Sequence, residues 1–182
     1  EIVSYSSAPG SSVAINSGKT RHQGIEFAAG YQAKNQFWYS KISGSMAKHS
    51  YIDYATSPTQ DFNGNDIPAA PKFLANLELG LQPIPNLRLS CETQYMSKYW
   101  MDDANTVSYA GHTLFHFRAA YRVKNWEMWM ALQNIGNKKY AEIAASSYKG
   151  TGNYTPNSQD TYTPGAPRNW VLGLRYHFGA AE

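Results

Sequence analysis

The sequence is 182 residues long, carries a formal net charge of +3 and contains one cysteine. One cysteine excludes an intrachain disulfide framework and a cysteine-rich metal site. Charged residues amount to 16%, against roughly 25% in an ordinary soluble domain, and the basic ones are scattered rather than clustered, so the composition gives no support to nucleic-acid binding.

Alternating patterns, rather than long apolar runs, characterise this sequence. No run approaches ~18 consecutive apolar residues, which excludes a transmembrane helix. The strands of a transmembrane barrel alternate between apolar and polar residues, so this class is compatible with the composition. The chain opens on EIVSYSS, without a basic start followed by an apolar stretch, and we expect it to be a segment of a longer protein.

The period-two pattern predicts about eight strands. In chain order they run over residues 1–6, 20–32, 37–54, 73–81, 87–95, 112–122, 126–133 and 170–178. The alternation is clearest in 73–81, where Leu77 and Leu79 point to one side and Glu78 points to the other. It has exceptions, such as Trp129, which falls on the polar side of its strand. The apolar positions predicted to face away from the centre of a barrel include Leu77, Leu79, Leu89, Cys91, Leu172 and Leu174.

The connections between these strands alternate between short and long. Short turns are predicted at 32–36, 83–86 and 122–125, each within the length of a hairpin. Long loops rich in Gly, Pro, Asn, Ser and Asp are predicted at 8–19, 55–71, 102–111 and 134–168. All short turns should therefore lie at one end of the sheet, as in outer-membrane barrels, which have short periplasmic turns and long extracellular loops.

Aromatic residues are predicted near both ends of the strands, as in the two aromatic belts of a membrane protein. Those assigned to the end with the short turns are Tyr31, Phe37, Tyr39, Tyr121, Trp126 and Phe178. Those assigned to the opposite end are Tyr51, Tyr54, Phe73, Tyr95, Tyr99, Trp100, Phe115 and Trp170.

Four segments carry a resemblance to a known family. The sequences NIGNKKYAEIA at 134–144 and YTPGAPRNWVLGLRYHF at 162–178 resemble the last strands of TonB-dependent outer-membrane receptors. Upstream, GKTRHQGIEF at 18–27 and NDIPAAPKFLANLEL at 65–79 resemble further strands of the same family. The resemblance implies an all-β, antiparallel barrel of about 22 strands around a plug. Residues 1–182 would be its C-terminal part, with the plug, the TonB box and the earlier strands outside this chain.

The resemblance also implies a function. A receptor of this kind resides in the bacterial outer membrane, contacts its lipid and the TonB complex, and takes up a large scarce solute. A ferric siderophore is the solute we expect, with cobalamin and a glycan as alternatives. We expect no enzymatic activity, because no nucleophile elbow, P-loop or dinucleotide fingerprint occurs. We expect neither cofactor nor metal site, since His112 and His116 would lie about 13 Å apart on a strand.

Two groups of residues are candidates for the functional site. The first is a set of charged residues on the inner, polar faces of the strands, predicted to face the lumen: Glu78, Arg88, Glu92, Arg118, Glu127 and Arg175. The second is a set in the long loops, where side chains that hold large ligands are common, predicted to bind the ligand: Trp100, Asp102, Asp103, Tyr148, Tyr154 and Tyr162.

Two other architectures are compatible with the strand pattern. A complete small barrel needs only about eight strands and would serve as an anchor, an adhesin or a lipid enzyme. It requires pairing between residues 1–6 and 170–178, whereas a piece of a larger barrel leaves both of these strands without partners in the chain. A soluble ligand-binding β-sandwich would require two packed sheets around one apolar core.

Overall fold

The computed structural model describes residues 2–8, 11–16, 18–57 and 60–178, and every regular element in this part of the chain is a β-strand. None of its elements is a helix that could cross a membrane. The strands are β1 (Ile2–Ala8), β2 (Ser11–Asn16), β3 (Thr20–Gln32), β4 (Trp38–Tyr51), β5 (Ala55–Ser57), β6 (Gln60–Asp61), β7 (Phe73–Leu81), β8 (Leu87–Met96), β9 (Tyr99–Trp100), β10 (Ser108–Tyr109), β11 (His112–Val123), β12 (Trp126–Gln133), β13 (Ala141–Ser146), β14 (Asp160–Pro164) and β15 (Asn169–Tyr176).

A seven-stranded antiparallel sheet forms the centre of the molecule. Its strand order is β15-β12-β11-β8-β7-β4-β3. Each strand therefore pairs with the strands of this same sheet that come before and after it in the sequence. The remaining strands form two-stranded hairpins, β1-β2, β5-β6, β9-β10 and β13-β14, of which the last three lie within the long connections. This order confirms an all-β, antiparallel meander.

The connections of the main sheet alternate as predicted. The turns β3–β4, β7–β8 and β11–β12 are short, and the intervening connections β4–β7, β8–β11 and β12–β15 are long. Each short turn contains one residue with a positive φ: Gln36 (57°), Asn86 (69°) and Lys124 (54°). These residues adopt the left-handed conformation that a tight reversal requires. The short turns therefore share one end of the sheet.

The N-terminal strand was predicted only in part. The expected strand at 1–6 is present as β1, but it pairs with β2 instead of lacking a partner in the chain. Strand β2 lies inside the loop predicted at 8–19, so that assignment was wrong. Val13 and Ile15 alternate with small residues there, but the abundance of Ser and Asn masks so short a pattern. As a result, the main sheet has seven strands rather than about eight.

Strand register separates the main sheet into an apolar face and a polar face. Leu79 lies opposite Cys91, and Cys91 lies opposite Phe117 on the next strand. Leu172 and Leu174 lie opposite Met130 and Met128. All six predicted outward positions lie on this apolar face, which confirms the alternation. Much of the face is uncovered, since Leu172 and Leu174 are 64% and 62% exposed.

Burial is concentrated in the long connections. Within the described residues, the buried apolar cluster consists of Tyr99, Met101, Ala141 and Ala144, from the hairpins β9-β10 and β13-β14 and their flanks. The main sheet contributes mainly exposed large side chains instead, such as Ile25 at 72%. A sheet with one uncovered apolar face is what a lipid-facing barrel wall requires.

The two alternative architectures do not fit this arrangement. The expectation that the strand at 170–178 would lack a partner in the chain was wrong, because this strand is β15 and pairs with β12 along one edge. No described residue of β1 pairs with β15, so a closed small barrel is not formed. The other sheets in the described ranges are two-stranded hairpins, so the two packed sheets of a sandwich are not formed either. The main sheet is open, with β3 and β15 as its edges.

Three of the aromatic residues assigned to the strand ends lie at those ends but not on the exposed apolar face. Tyr39 and Tyr51 lie on the polar face, because they pair with Gly80 and Thr20 there. Tyr99 is buried between hairpins, at 5% exposure. Trp38, which the sequence analysis did not select, lies on the apolar face opposite Leu81 and is 41% exposed. Tyr39 and Trp38 are adjacent in β4 and so take opposite faces, whereas Tyr99 lies in a hairpin outside the main sheet.

The two faces should respond differently to a charge. Leu79→Arg places a guanidinium on the apolar face and is expected to lower the free energy of unfolding by about 2 to 4 kcal/mol in a lipid bilayer. Asn76→Arg, on the polar face of the same strand, is the matched control and should change it by about 0.5 kcal/mol or less. Denaturant titration of the protein in phospholipid vesicles measures both values. Equal costs would contradict the assignment of the faces.

Candidate functional site

The six charged residues predicted to face the lumen share the polar face of the main sheet. Glu78 lies opposite Glu92, Arg118 lies opposite Ser90, and Glu127 lies opposite Arg175. Arg88 lies opposite Ala120 on the same face. The structure thus places these residues together, whereas their role in ligand passage stays a prediction.

Ion pairs connect the acids of the polar face to bases. The pairs are Glu78 Oε2 with Lys41 Nζ at 3.6 Å, Glu92 Oε2 with Arg118 Nη2 at 3.5 Å and Glu127 Oε1 with Arg175 Nη1 at 3.7 Å. Glu127 Oε2 is also within hydrogen-bond distance of His177 Nε2, at 3.3 Å. The Lys and Arg side chains are more than half exposed, so each pair contributes at most about 1 kcal/mol. Their main effect is to give the face a mixed charge.

A concavity lies on the polar face between β8, β11 and β12. Its volume is about 450 Å3, and Arg88 and Arg118 both line it. Tyr39 and Trp129 form aromatic parts of its wall. Two guanidinium groups beside aromatic rings make this a surface that favours anionic, partly apolar molecules.

Two aromatic rings of this wall lie across glycines of neighbouring strands. An ideal Cβ on Gly173 would lie 2.1 Å from the Trp129 ring, and one on Gly80 would lie 2.0 Å from the Tyr39 ring. The Tyr39 hydroxyl also donates to Glu78 Oε1 at 2.6 Å. The sequence analysis named both residues but selected neither as a candidate for the functional site. Trp129 could have been identified from the sequence. It lies two residues after Glu127 in β12, so alternation places it on the polar face together with Glu127.

At the end with the long loops, two hairpins pack against each other. The backbone N–H of Ala144 donates to the Tyr99 hydroxyl at 2.8 Å, and that of Ala141 donates to the Tyr109 hydroxyl at 3.0 Å. A backbone bond from Ser146 N to Met101 O at 2.8 Å joins the same segments. Burial raises the pKa of Tyr99, so its hydroxyl stays protonated. We call residues 99–109 and 141–164 the loop cluster.

Asp102 holds its own loop together. Its side chain is buried at 2% exposure for the residue. Its carboxylate accepts bonds from Thr106 N (3.0 Å), Thr106 Oγ1 (2.7 Å) and Val107 N (2.7 Å). These bonds occupy the oxygens that the sequence analysis assigned to ligand binding, and we therefore leave Asp102 out of the proposed ligand surface.

The neighbours of Asp102 are more accessible. Trp100 is partly buried, and Lys98 Nζ lies 4.4 Å from the centre of its ring. Asp103 Oδ1 accepts a bond from the Tyr51 hydroxyl at 2.7 Å, which ties this loop to the end of β4. Both residues lie in the loop cluster, where the sequence analysis placed ligand contacts.

The three predicted loop tyrosines lie in the second hairpin. The rings of Tyr148 and Tyr154 are in edge contact, with centroids 5.3 Å apart. The Tyr154 hydroxyl donates to Asp160, and this bond raises the pKa of Tyr154 to about 12. Tyr162 is 50% exposed and lies opposite the buried Ala144. The structure therefore brings the six predicted loop residues into two adjoining hairpins.

Asp102→Ala should loosen the first hairpin without unfolding the sheet. Loss of several charge-assisted bonds is expected to cost about 2 to 4 kcal/mol locally. Amide hydrogen exchange at Thr106 and Val107 should accelerate accordingly. Asp103→Ala, which removes a carboxylate that accepts a bond from the Tyr51 hydroxyl, is the control and should leave those two amides protected. Unchanged protection in Asp102→Ala would contradict this assignment.

The sequence is similar to a known family and to a curated protein. A family model described as "TonB dependent receptor-like, beta-barrel" matches residues 1–137. A curated relative, the probable TonB-dependent siderophore receptor PiuA of Acinetobacter baumannii, is 30% identical over 91 residues. That alignment covers 50% of this chain and 12% of the relative.

Solved structures resemble the whole described fold at low sequence identity. The siderophore receptor PiuA from Acinetobacter baumannii superposes with a TM-score of 0.75 at 19% identity, over 96% of this chain and 24% of that one. The ferric yersiniabactin uptake receptor FyuA from Yersinia pestis gives 0.69 at 14%, over 90% and 24%. The ferric preacinetobactin receptor BauA from Acinetobacter baumannii gives 0.67 at 20%, over 97% and 25%. This chain thus spans about a quarter of the solved chains that it matches.

Proposed function

Because this chain belongs to the TonB-dependent receptor β-barrel family, we propose that it is the C-terminal part of a receptor for energy-coupled uptake of a ferric siderophore. Proteins of this family are outer-membrane β-barrels, and the apolar face of the main sheet is the surface that contacts lipid. The observation that carries the proposal is the structural match of this chain, with its open, two-faced sheet, to a siderophore receptor. The match covers 96% of this chain.

The boundaries of the chain form part of the proposal. Residues 1–182 supply a C-terminal section of the barrel wall, and the plug and the earlier strands belong to sequence outside this chain. The coverage of about a quarter of each solved receptor supports this assignment. So do the strands β3 and β15, whose outer edges require partners in a membrane. Energy coupling would act through TonB on the part of the receptor outside this chain.

The arrangement of polar groups supports passage of a large anionic solute. The loop cluster presents Trp100, Tyr148 and Tyr162 at the end with the long loops, and aromatic rings there offer broad contact to a chelate. On the polar face, Arg88 and Arg118 line a concavity of about 450 Å3 and attract negative charge. The family consists of receptors and transporters, and we propose that the solute crosses without any covalent bond being made or broken.

Uptake by the full-length receptor tests this function. Cells that produce it should accumulate radiolabelled iron from a ferric siderophore, and cells lacking TonB should not. Purified receptor should bind ferric siderophores in preference to cobalamin and oligosaccharides. Preferential binding of cobalamin or a glycan would overturn the siderophore assignment while leaving the family unchanged.

The loop tyrosines should contribute to affinity. Replacing Tyr148 and Tyr162 together by Ala is expected to raise the Kd for the ferric chelate by about tenfold or more, because aromatic contacts dominate such interfaces. Lys34→Ala, in a short turn at the opposite end, is the control and should leave the Kd unchanged. Titration followed by intrinsic tryptophan fluorescence measures both. An unchanged Kd in the double variant would remove these residues from the site.

A further inference from the structure

Two histidines on the polar face of the main sheet lie directly opposite each other. His22 of β3 pairs with His49 of β4, in a register that has no shift along the whole of β3. His49 has the same parity as Lys41 in β4, and Lys41 lies opposite Glu78, so alternation places His49 and its partner on the polar face. Both histidines lie at the end with the long loops. We call His22 and His49 the histidine pair.

The side chains of the histidine pair meet through their ring nitrogens. His22 Nδ1 lies 2.7 Å from His49 Nδ1, and the ring centroids are 5.0 Å apart at an interplanar angle of 52°. Two N–H groups cannot face each other at this distance because their hydrogens would collide, so at least one of these nitrogens presents a lone pair. Imidazole nitrogens that converge in this way are the ligands that transition metals most often find in proteins.

The separation of the two nitrogens is close to that of two ligands on one metal ion. Metal–nitrogen distances of about 2.0–2.1 Å put neighbouring ligands roughly 2.9 Å apart at a right angle and roughly 3.4 Å apart at the tetrahedral angle. The observed separation is 2.7 Å, so a small rotation of the rings reaches either geometry. His22 is exposed and His49 is half-buried, which leaves the rings room to rotate.

Thr20 holds one ring of the pair in place. Its Oγ1 lies 3.0 Å from His22 Nε2, the ring nitrogen that faces away from His49. Histidines that bind metals commonly use their second ring nitrogen for such a bond, which fixes the orientation of the ring. One of the two nitrogens is therefore already oriented toward the point between the rings.

Space for further ligands lies beside the histidine pair. The next pair on the same face, toward the short turns, is Gly24 with Ala47, and neither has a side chain longer than a methyl group. No group of three or more His, Cys, Asp or Glu side chains that could hold a metal occurs among the described residues. This part of the chain therefore supplies two ligands, and water or the donor atoms of a chelator would complete the coordination.

We propose that the histidine pair binds a divalent transition-metal ion on the polar face. Imidazole suits Cu²⁺, Ni²⁺ and Zn²⁺, and in the general order of affinities Cu²⁺ binds most tightly. Ca²⁺ and Mg²⁺ prefer oxygen ligands. The expectation of no metal site rested on the spacing of His112 and His116, whereas strand register brings together two histidines that are 27 positions apart.

Copper binding by the full-length receptor tests the proposal. The receptor is purified in detergent without a histidine tag, freed of metal by a chelator and titrated with micromolar Cu²⁺. Wild type should bind about one ion per receptor more than H22Q/H49Q does. Each single variant, H22Q or H49Q, should bind that ion about tenfold or more weakly, because one imidazole alone cannot chelate it.

A graded variant tests the geometry of the site. Thr20→Val removes the hydroxyl that holds the His22 ring and keeps the branched shape of the side chain. It should weaken copper binding about tenfold, as the loss of an orienting partner does in other metal sites. Electron paramagnetic resonance of the wild-type complex should show coupling to nitrogen nuclei, and this coupling should be weaker in H22Q/H49Q.

A matched control and a competing ion make the result decisive. His177→Gln changes a histidine of the same face at the opposite end of the sheet, beside Glu127, and should leave copper binding unchanged. Heat-dependent gel mobility of the barrel confirms that each variant is folded. Equal copper stoichiometry in wild type and H22Q/H49Q would overturn the proposal. Displacement of the ion by millimolar Ca²⁺ would overturn it as well.

The uptake assay separates this proposal from the proposed function. The inference uses the register of the main sheet but not the identity of the solute, and it goes beyond siderophore uptake. A wild-type receptor that binds copper through the histidine pair but imports no iron would overturn the siderophore function and leave the metal site supported.

Discussion

Backbone hydrogen bonding between neighbouring strands is the constraint on which the whole structure depends. In hydrocarbon each unpaired N–H or C=O costs several kcal/mol, so strands must pair continuously. Strands β8 and β11 do so over ten consecutive residue pairs, from Met96 with His112 to Leu87 with Tyr121. Continuous pairing fixes the register, and the register fixes the faces: a slip by one residue would turn Leu89 and Cys91 inward and Arg88 and Glu92 toward lipid.

The location of buried apolar residues follows from the same constraint. A sheet that is solvated by lipid needs no internal apolar core, because the acyl chains supply the apolar contacts. The loops beyond the sheet are in water, and they must bury side chains to become ordered. Tyr99, Met101 and Ala144 do this in the loop cluster, where two tyrosine hydroxyls accept backbone N–H groups. The end with the long loops is therefore organised like a small water-soluble domain above the sheet.

The difference between the regular sheet and the packed loops explains what could be predicted from the sequence. Alternation over eight or more residues identified β7, β8 and the six charged residues of the polar face, since pleating alone decides which side a strand residue takes. The short strand β2 was not predicted, because only a few of its residues follow the apolar–polar alternation. The face taken by Tyr39 was not predicted, because it depends on register with Gly80, which composition does not reveal. The burial of Asp102 was not predicted, because burial of a loop carboxylate depends on how segments that are distant in sequence pack together.

The contact between aromatic rings and glycines has a consequence for how the polar face can evolve. Trp129 occupies the space above Gly173, and Tyr39 occupies the space above Gly80. A smaller residue in place of either ring leaves a gap that water fills, but any side chain at either glycine collides with the ring. The ring must therefore move or be replaced when the glycine changes, so substitutions at the two positions of each pair are coupled.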